Sequence, residues 1–446
     1  MTTLEIKTRG KELSRMSAPV MVEQSFIILM GLISSILVAS VGEHAVAAVS
    51  LVDTISNTII AFFAALTTGG TIVIAQYVGK NDVGKVKLVA GQTVFLSVLV
   101  SVVVLIVFAF FGQVTINLAF AAADPNVKSA AHQFLFISMF SYPFVAVMQT
   151  NFGILRGVGD ARTPMFISIL MNIVNLIFGL ILIPPFGVAG AAVGLLIARA
   201  VGCVASGYYV VFRSKLIRLN KFSLFKPDFE PQKAILRFGL PTSVESILFQ
   251  LGKIIVTMMV VGMSTSAVTA NAIAWTLVGI INVAGTGFAT GVMVLCGQKV
   301  GRGEVEDIKR TTLFASIVNM AAMASVCLIL FILFEPIAIL YNLEPETHRY
   351  LQQLMFSVFI ASILLWPWSF IIPSVLRATG DVMYAMLVSI ITMWGARIVL
   401  GYVLGVVLGF GVFGVWVGMY VDWTLRGIFY SFRLLSGKWK GKGVKN

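Results

Sequence analysis

The sequence predicts an all-α integral membrane protein of twelve transmembrane helices, arranged as two related six-helix bundles. Three observations predict this fold class: the scarcity of charge, the length of the apolar stretches and an internal repeat. Only 11% of the 446 residues are charged, 58% are hydrophobic, and the mean hydropathy is +0.96. Soluble domains carry about 25% charged residues, so the main solvent of this chain must be lipid.

The apolar stretches are long enough to be membrane-spanning helices. A helix needs roughly 20 residues to cross a hydrocarbon core ~30 Å thick. The stretches lack the short alternating pattern of β-barrel strands, which favours helices throughout. The predicted spans are 16–41, 47–76, 88–112, 132–155, 164–184, 188–212, 234–262, 268–298, 311–334, 350–376, 383–406 and 411–433.

The basic residues define the orientation of these spans. The formal net charge is +13, which by itself would also fit a nucleic-acid-binding protein. Of the 32 Lys and Arg residues, however, only Lys128 and Arg349 fall in the odd-numbered loops between spans. The others outside the spans lie at the two termini and in the even-numbered loops. This is the positive-inside distribution, so both termini are predicted to be cytoplasmic and no nucleic-acid partner is expected.

The chain repeats itself at an offset of 222 residues. Pro19 and Glu23 recur as Pro241 and Glu245 in the same order and spacing. Further repeated segments are Ala45-Val46-x-Ala48 with Ala267-Val268-x-Ala270, Gln76-x-Val78-Gly79 with Gln298-x-Val300-Gly301, and, with small slips, Leu155-Arg156-x-x-Gly159-Asp160 with Leu376-Arg377-x-x-Gly380-Asp381. Because each half has six spans, both halves start on the same side of the membrane and form a parallel repeat.

The polar linker between the halves sets the domain boundaries. We predict a first six-helix lobe at 1–213, a cytoplasmic linker at 214–232, a second lobe at 233–436 and a basic cytoplasmic tail at 437–446.

Several of these motifs resemble those of the multidrug and toxic compound extrusion (MATE) family. The resemblance runs the whole length and is carried by SVGEHAVAAVSLVDTISN, GGTIVIAQYVGKND, LRGVGDARTPM, FGLPTSVESILFQLGK, GQKVGRGE and LRATGD. It implies a V-shaped exporter with a central cavity between two lobes, driven by protons or sodium ions.

The chain departs from the family at the usual ion site of the first lobe. Many members carry an Asp in the outer half of span one, where this sequence has Ser34. Many also carry an acid four residues after the Asn of span five, whereas Gly179 follows Asn175 here. A coupling site must therefore be sought among the residues that are present.

Ionisable residues within spans are costly and are functional candidates by default. The spans of the first lobe hold two acids, Glu23 and Asp53, and one cation, Arg199, so at least one acid lacks a cation. Asp53 and Asn57 lie one turn apart on span two. Carboxylate and amide oxygens suit sodium, and a carboxylate alone suits a proton. The predicted proton or cation coupling residues are Glu23, Asp53, Asn57, Asn172 and Asn175, with a sodium ion near Asp53.

Two of these acids have other interpretations. Glu23 could face a water-filled vestibule, and Asp53 could cap or line the start of span two.

In the second lobe, Lys253, Arg397 and Asp422 are predicted to form a structural charge network with Lys253 as a partner of Asp422. The predicted substrate cavity is lined by Met30, Ser34, Gln149, Phe152, Glu245, Gln250 and Met258.

These features predict a secondary active exporter of amphipathic organic cations, coupled to proton or sodium influx by alternating access. The expected setting is the plasma (inner) membrane, with membrane lipid and a small organic substrate as partners and a monomer as the working unit. We expect no enzymatic activity and no cofactor beyond the coupling ion. The alternatives are a flippase for lipid-linked precursors or polysaccharides, to which Arg199, Lys253 and Arg397 would offer phosphate contacts, and a membrane-embedded enzyme or receptor, for which no catalytic motif is present.

Overall fold

The computed structural model describes residues 3–119, 124–214, 217 and 227–444, and it confirms the predicted all-α class. Within these residues the chain forms helices joined by short turns, and no strand is present. The first half contains α1 (Thr3–Ala39), α2 (Glu43–Gly79), α3 (Val83–Ala119), α4 (Pro125–Ser138), α5 (Tyr142–Gly157) and α6 (Arg162–Tyr208). The second half contains α7 (Phe229–Val261), α8 (Thr265–Arg302), α9 (Val305–Ile332), α10 (Phe334–Leu340), α11 (Pro345–Leu364), α12 (Trp366–Ala378), α13 (Val382–Ile391), α14 (Val399–Tyr402) and α15 (Gly411–Ser436).

Nine helices of the described residues are long and apolar enough to span a membrane, or ten if the bent pair α11 and α12 is one span. The helical segment α6 has 47 residues, about twice the length of one crossing. It is broken at Gly187, whose backbone is non-helical just after Pro184 and Pro185. If α6 is divided at Gly187 and counts as two spans, the ten become eleven. Adding α15, which contains Asp422, Arg426 and Arg433, would give the predicted twelve. The exact count stays a prediction.

Span eleven is irregular where the sequence places an arginine in the membrane. The segments Thr392–Ile398 and Val403–Val407 are π-helical, and Arg397 belongs to the first of them. Such wide turns are rare and occur frequently at functional sites. The irregularity therefore marks this part of the second half for closer inspection.

The chain divides into two compact units, Met1–Met21 with Val244–Asn446, and Val22–Ser243. The unit that contains Val244–Asn446 is built around Trp366, Trp416 and Tyr430, which are buried. The unit Val22–Ser243 is built around Phe63 and Tyr142, which are also buried. The two boundaries, after Met21 and after Ser243, are themselves 222 residues apart. The repeat found in the sequence is therefore also a repeat in how the helices pack.

Small residues let the last helices of each half approach closely, as their small-xxx-small spacing indicates. A Cβ atom on Gly194 would lie 3.3 Å from the amide nitrogen of Gly179, on the other side of the Gly187 break. In the second half, a Cβ atom on Gly418 would lie 2.7 Å from the amide nitrogen of Gly401. Larger side chains at Gly194 and Gly418 would push these helices apart.

The duplicated turns after α5 and α12 share one backbone geometry but differ in their contacts. Gly159 and Gly380 both have the left-handed conformation, with φ of 93° and 97°. Asp160 then accepts a hydrogen bond from the backbone amide of Thr163 at 3.1 Å. The equivalent Asp381 is buried and instead accepts from Arg433 at 2.7 Å and from Lys442 at 2.6 Å, which fixes the C-terminal tail.

Candidate functional site

A buried carboxylate–guanidinium pair occurs at the same place in both halves. Nη2 of Arg156 donates to the two carboxylate oxygens of Glu23 at 2.7 and 2.6 Å. Nη2 of Arg377 donates to the two oxygens of Glu245 at 2.7 and 2.8 Å. In each half, the acid lies four residues after a proline on α1 or α7. The arginine lies in the last turn of α5 or α12. Two of the duplicated sequence motifs are thus joined to each other in each half.

This pairing corrects the charge balance inferred for the first half. Glu23 is 3% exposed and is neutralised by Arg156, which the sequence places at the cytoplasmic end of span four rather than within it. Of the two acids counted in the spans of the first half, Glu23 therefore has a cation that the count placed outside the spans. A buried carboxylate whose two oxygens both accept from an arginine is a structural tie. We accordingly remove Glu23 from the coupling residues, and Glu245 from those of the substrate cavity.

Phe152 is also a packing residue rather than a cavity residue. Its side chain is 2% exposed and packs with Met148 and Ile167. The guanidinium of Arg156 lies over its ring, 5.8 Å from the ring centre. Phe152 therefore supports the Glu23–Arg156 pair, and its predicted place in the substrate cavity is wrong.

Of the two acids predicted within the spans of the first half, Asp53 is the exposed one. Asp53 and Asn57 are exposed on successive turns of α2, and neither makes a hydrogen bond or ion pair within the described residues. Arg199, the cation in the same membrane region, interacts electrostatically with Asp53 and donates a 2.6 Å hydrogen bond to Oγ of Ser141. An exposed carboxylate with an amide one turn away can take up and release a proton or a hard cation.

The predicted asparagines of span five form a separate polar group. Nδ2 of Asn175 donates to Oγ of Ser34 at 3.2 Å, which joins spans one and five. Nδ2 of Asn172 donates to the carbonyl oxygen of Ser168, one turn back on its own helix, at 2.9 Å. Ser34 is thus an interhelical contact. No hydrogen bond connects this group to Asp53, so the two parts of the predicted coupling site are not joined in the described structure.

The second half contains a charge cluster whose partners differ from those predicted. Asp422 is fully buried and accepts a 2.7 Å hydrogen bond from Nε of Arg426. Nε of Arg397 lies 3.2 Å from its other oxygen, close enough for an ion pair but not aligned for a hydrogen bond. Both guanidiniums also lie over the ring of Phe249, at 5.5 and 5.4 Å. The expected Lys253–Asp422 pair is wrong, and Arg426 takes that place.

A cavity of about 520 Å³ lies beside this cluster, entirely within the second half. This is within the range of sites for drug-sized molecules. Lys253 and Arg397, predicted to be structural, line it, whereas the predicted Gln250 and Met258 do not. Met258 is 66% exposed, and Gln250, like Met30 and Gln149 of the first half, is half-buried. The lining residues not predicted from the sequence include Asn271, Trp275, Gly279, Asn282, Trp416 and Met419.

Comparisons with known proteins agree with this architecture. The family model MatE matches twice, at residues 19–181 and 241–403, which are again 222 residues apart. The uncharacterized transporter YisQ of Bacillus subtilis is 30% identical over 444 residues, covering 96% of this chain and 94% of that protein. The probable multidrug resistance protein NorM of Thermotoga maritima is 26% identical, covering 99% and 95%. A solved outward-facing conformation of a multidrug resistance MATE family transporter superimposes with a TM-score of 0.88 at 22% identity, covering 96% of both chains.

Proposed function

Because the chain belongs to the MATE family, whose model matches most of both halves, we propose that it is a secondary active exporter driven by inward movement of protons or sodium ions. The family is one of multidrug efflux transporters, and the chain is a multi-pass membrane transporter. The finer proposal is that it exports amphipathic organic compounds from the cytoplasm by alternating access, as a monomer in the plasma membrane with both termini cytoplasmic.

The observation that carries the proposal of ion coupling is the exposed Asp53. A gradient can drive a conformational change only if the ion binds the two states with different affinity. Glu23 is held by Arg156, whereas Asp53 has no ion pair in the described part of the chain, with Asn57 one turn away. We propose that Asp53 binds the coupling ion, either a proton or a sodium ion that Asn57 helps to hold.

The surfaces of the helices support the proposed membrane setting. On α3, the side chains of Phe110 and Phe111 are 78% and 59% exposed, and Ile106 is 50% exposed. A helix of a water-soluble protein does not expose such a run of large apolar residues. Lipid is the partner that suits this surface.

The charges of the second-half cavity do not favour the expected preference for organic cations. That expectation relied on an apolar cavity with few polar anchors. The cavity described above is apolar and lined by two tryptophans, but its charged residues are Lys253 and Arg397. The flippase alternative is not favoured, because the family model is MatE and the relative from Thermotoga maritima is named as a probable multidrug resistance protein.

Dye efflux from proteoliposomes tests the proposed function directly. A pH gradient and a sodium gradient should be imposed separately on vesicles loaded with a fluorescent dye. We expect one of the two gradients to drive efflux that stops when that gradient is collapsed by an ionophore. Efflux that is indifferent to both gradients, or that requires ATP, would contradict the proposal.

A further inference from the structure

We propose that the second-half cavity binds the anionic group of an amphipathic aromatic substrate, such as a carboxylate. This inference rests on the proposed export function and names a substrate class for it.

The cavity carries more positive charge than its acids can balance. Asp422 is shared by two guanidiniums, those of Arg397 and Arg426, so this cluster alone has a net charge of +1. Lys253 adds one further charge, and its ammonium makes no ion pair with any described residue. The other membrane acid of this half, Glu245, is occupied by Arg377. Uncompensated cations in a membrane interior favour an anionic partner.

Two polar groups beside the cavity have unused hydrogen-bonding capacity. Arg397 is 3% exposed and lines the cavity, and its Nε faces Asp422 at 3.2 Å without forming a hydrogen bond. Oδ1 of Asn282, also in the lining, is buried without a hydrogen-bond partner, and as an acceptor it suits a donor group of the substrate rather than the carboxylate. Arginine is well suited to a carboxylate because its donors form a planar fork that matches two oxygens. Arg397 and Lys253 together therefore provide a fork and a point charge for one anion.

The internal repeat indicates that the fold does not require a cation at the position of Lys253. At the constant offset of 222, Lys253 corresponds to Gly31 in the first half, where an added Cβ atom would meet no atom within 4 Å. Trp275 corresponds to Asp53, and Gly279 corresponds to Asn57. The candidate ion site and the cavity thus occupy equivalent positions with opposite polarity. We infer that duplication left one site to bind the coupling cation and the other to bind an organic anion.

The remaining lining favours an aromatic group and limits its size. The rings of Trp275 and Trp416 are 5.3 Å apart, and Nε1 of Trp416 is fixed by a 2.9 Å hydrogen bond to Asn271. At Gly279 the missing side chain leaves open space, since an added Cβ atom would contact nothing within 4 Å. About 520 Å³ is enough for a drug-sized aromatic carboxylate but small for a polyprenyl chain.

Binding of a matched pair of probes in detergent solution tests the proposal without any ion gradient. Dansylglycine has a free carboxylate, and dansylglycinamide is the same molecule without the charge. We expect the protein to bind dansylglycine more tightly. Lys253→Gln should weaken dansylglycine binding by roughly tenfold to a hundredfold and leave the amide unchanged, because it removes a charge-assisted contact. Lys253→Arg should retain most of the affinity.

Two further variants locate the site and control for net charge. Gly279→Leu should weaken binding of both probes, because its side chain fills the cavity. Arg349→Gln removes an exposed cation near the start of α11 in the same half and should change neither affinity. Equal binding of both probes, or wild-type affinity for dansylglycine in Lys253→Gln, would overturn the proposal. Binding of farnesyl diphosphate without dansylglycine would overturn it in favour of a lipid diphosphate. Since no gradient is used, these results stand apart from whether ion-driven efflux occurs.

Discussion

Replacing Asp422 by Asn should destabilise the second half more than removing any of the cations around it. Asp422 is fully buried and faces two guanidiniums, at 2.7 Å from Arg426 and 3.2 Å from Arg397. Loss of its charge leaves both of them buried without a counter-charge. Breaking a buried pair in this way costs about 3–5 kcal/mol. At roughly 2–4 °C per kcal/mol for a unit of this size, the melting temperature should fall by about 6–20 °C.

The same geometry ranks the other single variants. Arg397→Gln leaves Asp422 and Arg426 as a balanced and hydrogen-bonded pair, so we expect a loss of under about 2 kcal/mol. Arg426→Gln should cost more, because it also removes hydrogen bonds to Thr392 and to the carbonyl oxygen of Ser389. Lys253→Gln should be neutral for stability, since Lys253 is exposed and is not a partner of Asp422.

The buried cysteines of the second half allow these losses to be measured. Cys296 and Cys327 are 0% and 3% exposed, so a thiol-reactive fluorescent dye labels them only as this half unfolds. A Cys203→Ala background removes the third cysteine, which lies in the other half. If Lys253→Gln restored the stability of Asp422→Asn, or if Arg397→Gln were as harmful as Asp422→Asn, the assignment of partners would be refuted.

Three further predictions test the fold. Glu23→Gln should destabilise the protein by roughly 3 kcal/mol by stranding Arg156, and adding Arg156→Leu should recover part of that loss; additive losses in thermal unfolding would deny the pair. Gly418→Val should cost at least about 1–3 kcal/mol, because its Cβ atom would lie 2.7 Å from the amide nitrogen of Gly401, whereas Gly395→Ala has open space and should be mild; equal melting temperatures for the two variants would contradict the close approach. Accessibility tags after Thr2 and after Val444 should be cytoplasmic and one after Asn126 external; labelling at Asn126 from the cytoplasm would contradict the topology.

The sequence predicted the helical class and the duplication because both depend on local properties. Hydropathy identifies a span from its own residues, and the repeat of Pro19 and Glu23 as Pro241 and Glu245 needs no tertiary information. The π-helical turn at Thr392–Ile398 was not predictable in this way, because Arg397 lies beside Asp422 and Gly418, which are distant in the chain.

The ion pairs were harder to predict because their partners are far apart in the chain. Glu23 and Arg156 are separated by 133 positions, and Arg156 was assigned to a loop although its side chain reaches the acid. The duplication held a usable signal, since both motifs recur together. Arg426 could have been found from its i, i+4 spacing to Asp422, which is the geometry of a helical ion pair.

The functional residues of the cavity escaped prediction for a different reason. Residues that are identical in the two halves report the shared fold. Trp275 and Gly279 differ from Asp53 and Asn57, and it is the differences that distinguish the two sites.

The most direct test of the central account is to separate substrate exchange from ion-driven efflux in Asp53→Asn. Purified wild-type protein, Asp53→Asn and Asp53→Glu should be reconstituted into proteoliposomes with the effective gradient found for the wild type. We predict that Asp53→Asn loses gradient-driven dye efflux but still exchanges labelled for unlabelled substrate, and that Asp53→Glu retains part of the driven efflux. Wild-type rates of driven efflux in Asp53→Asn would contradict the account.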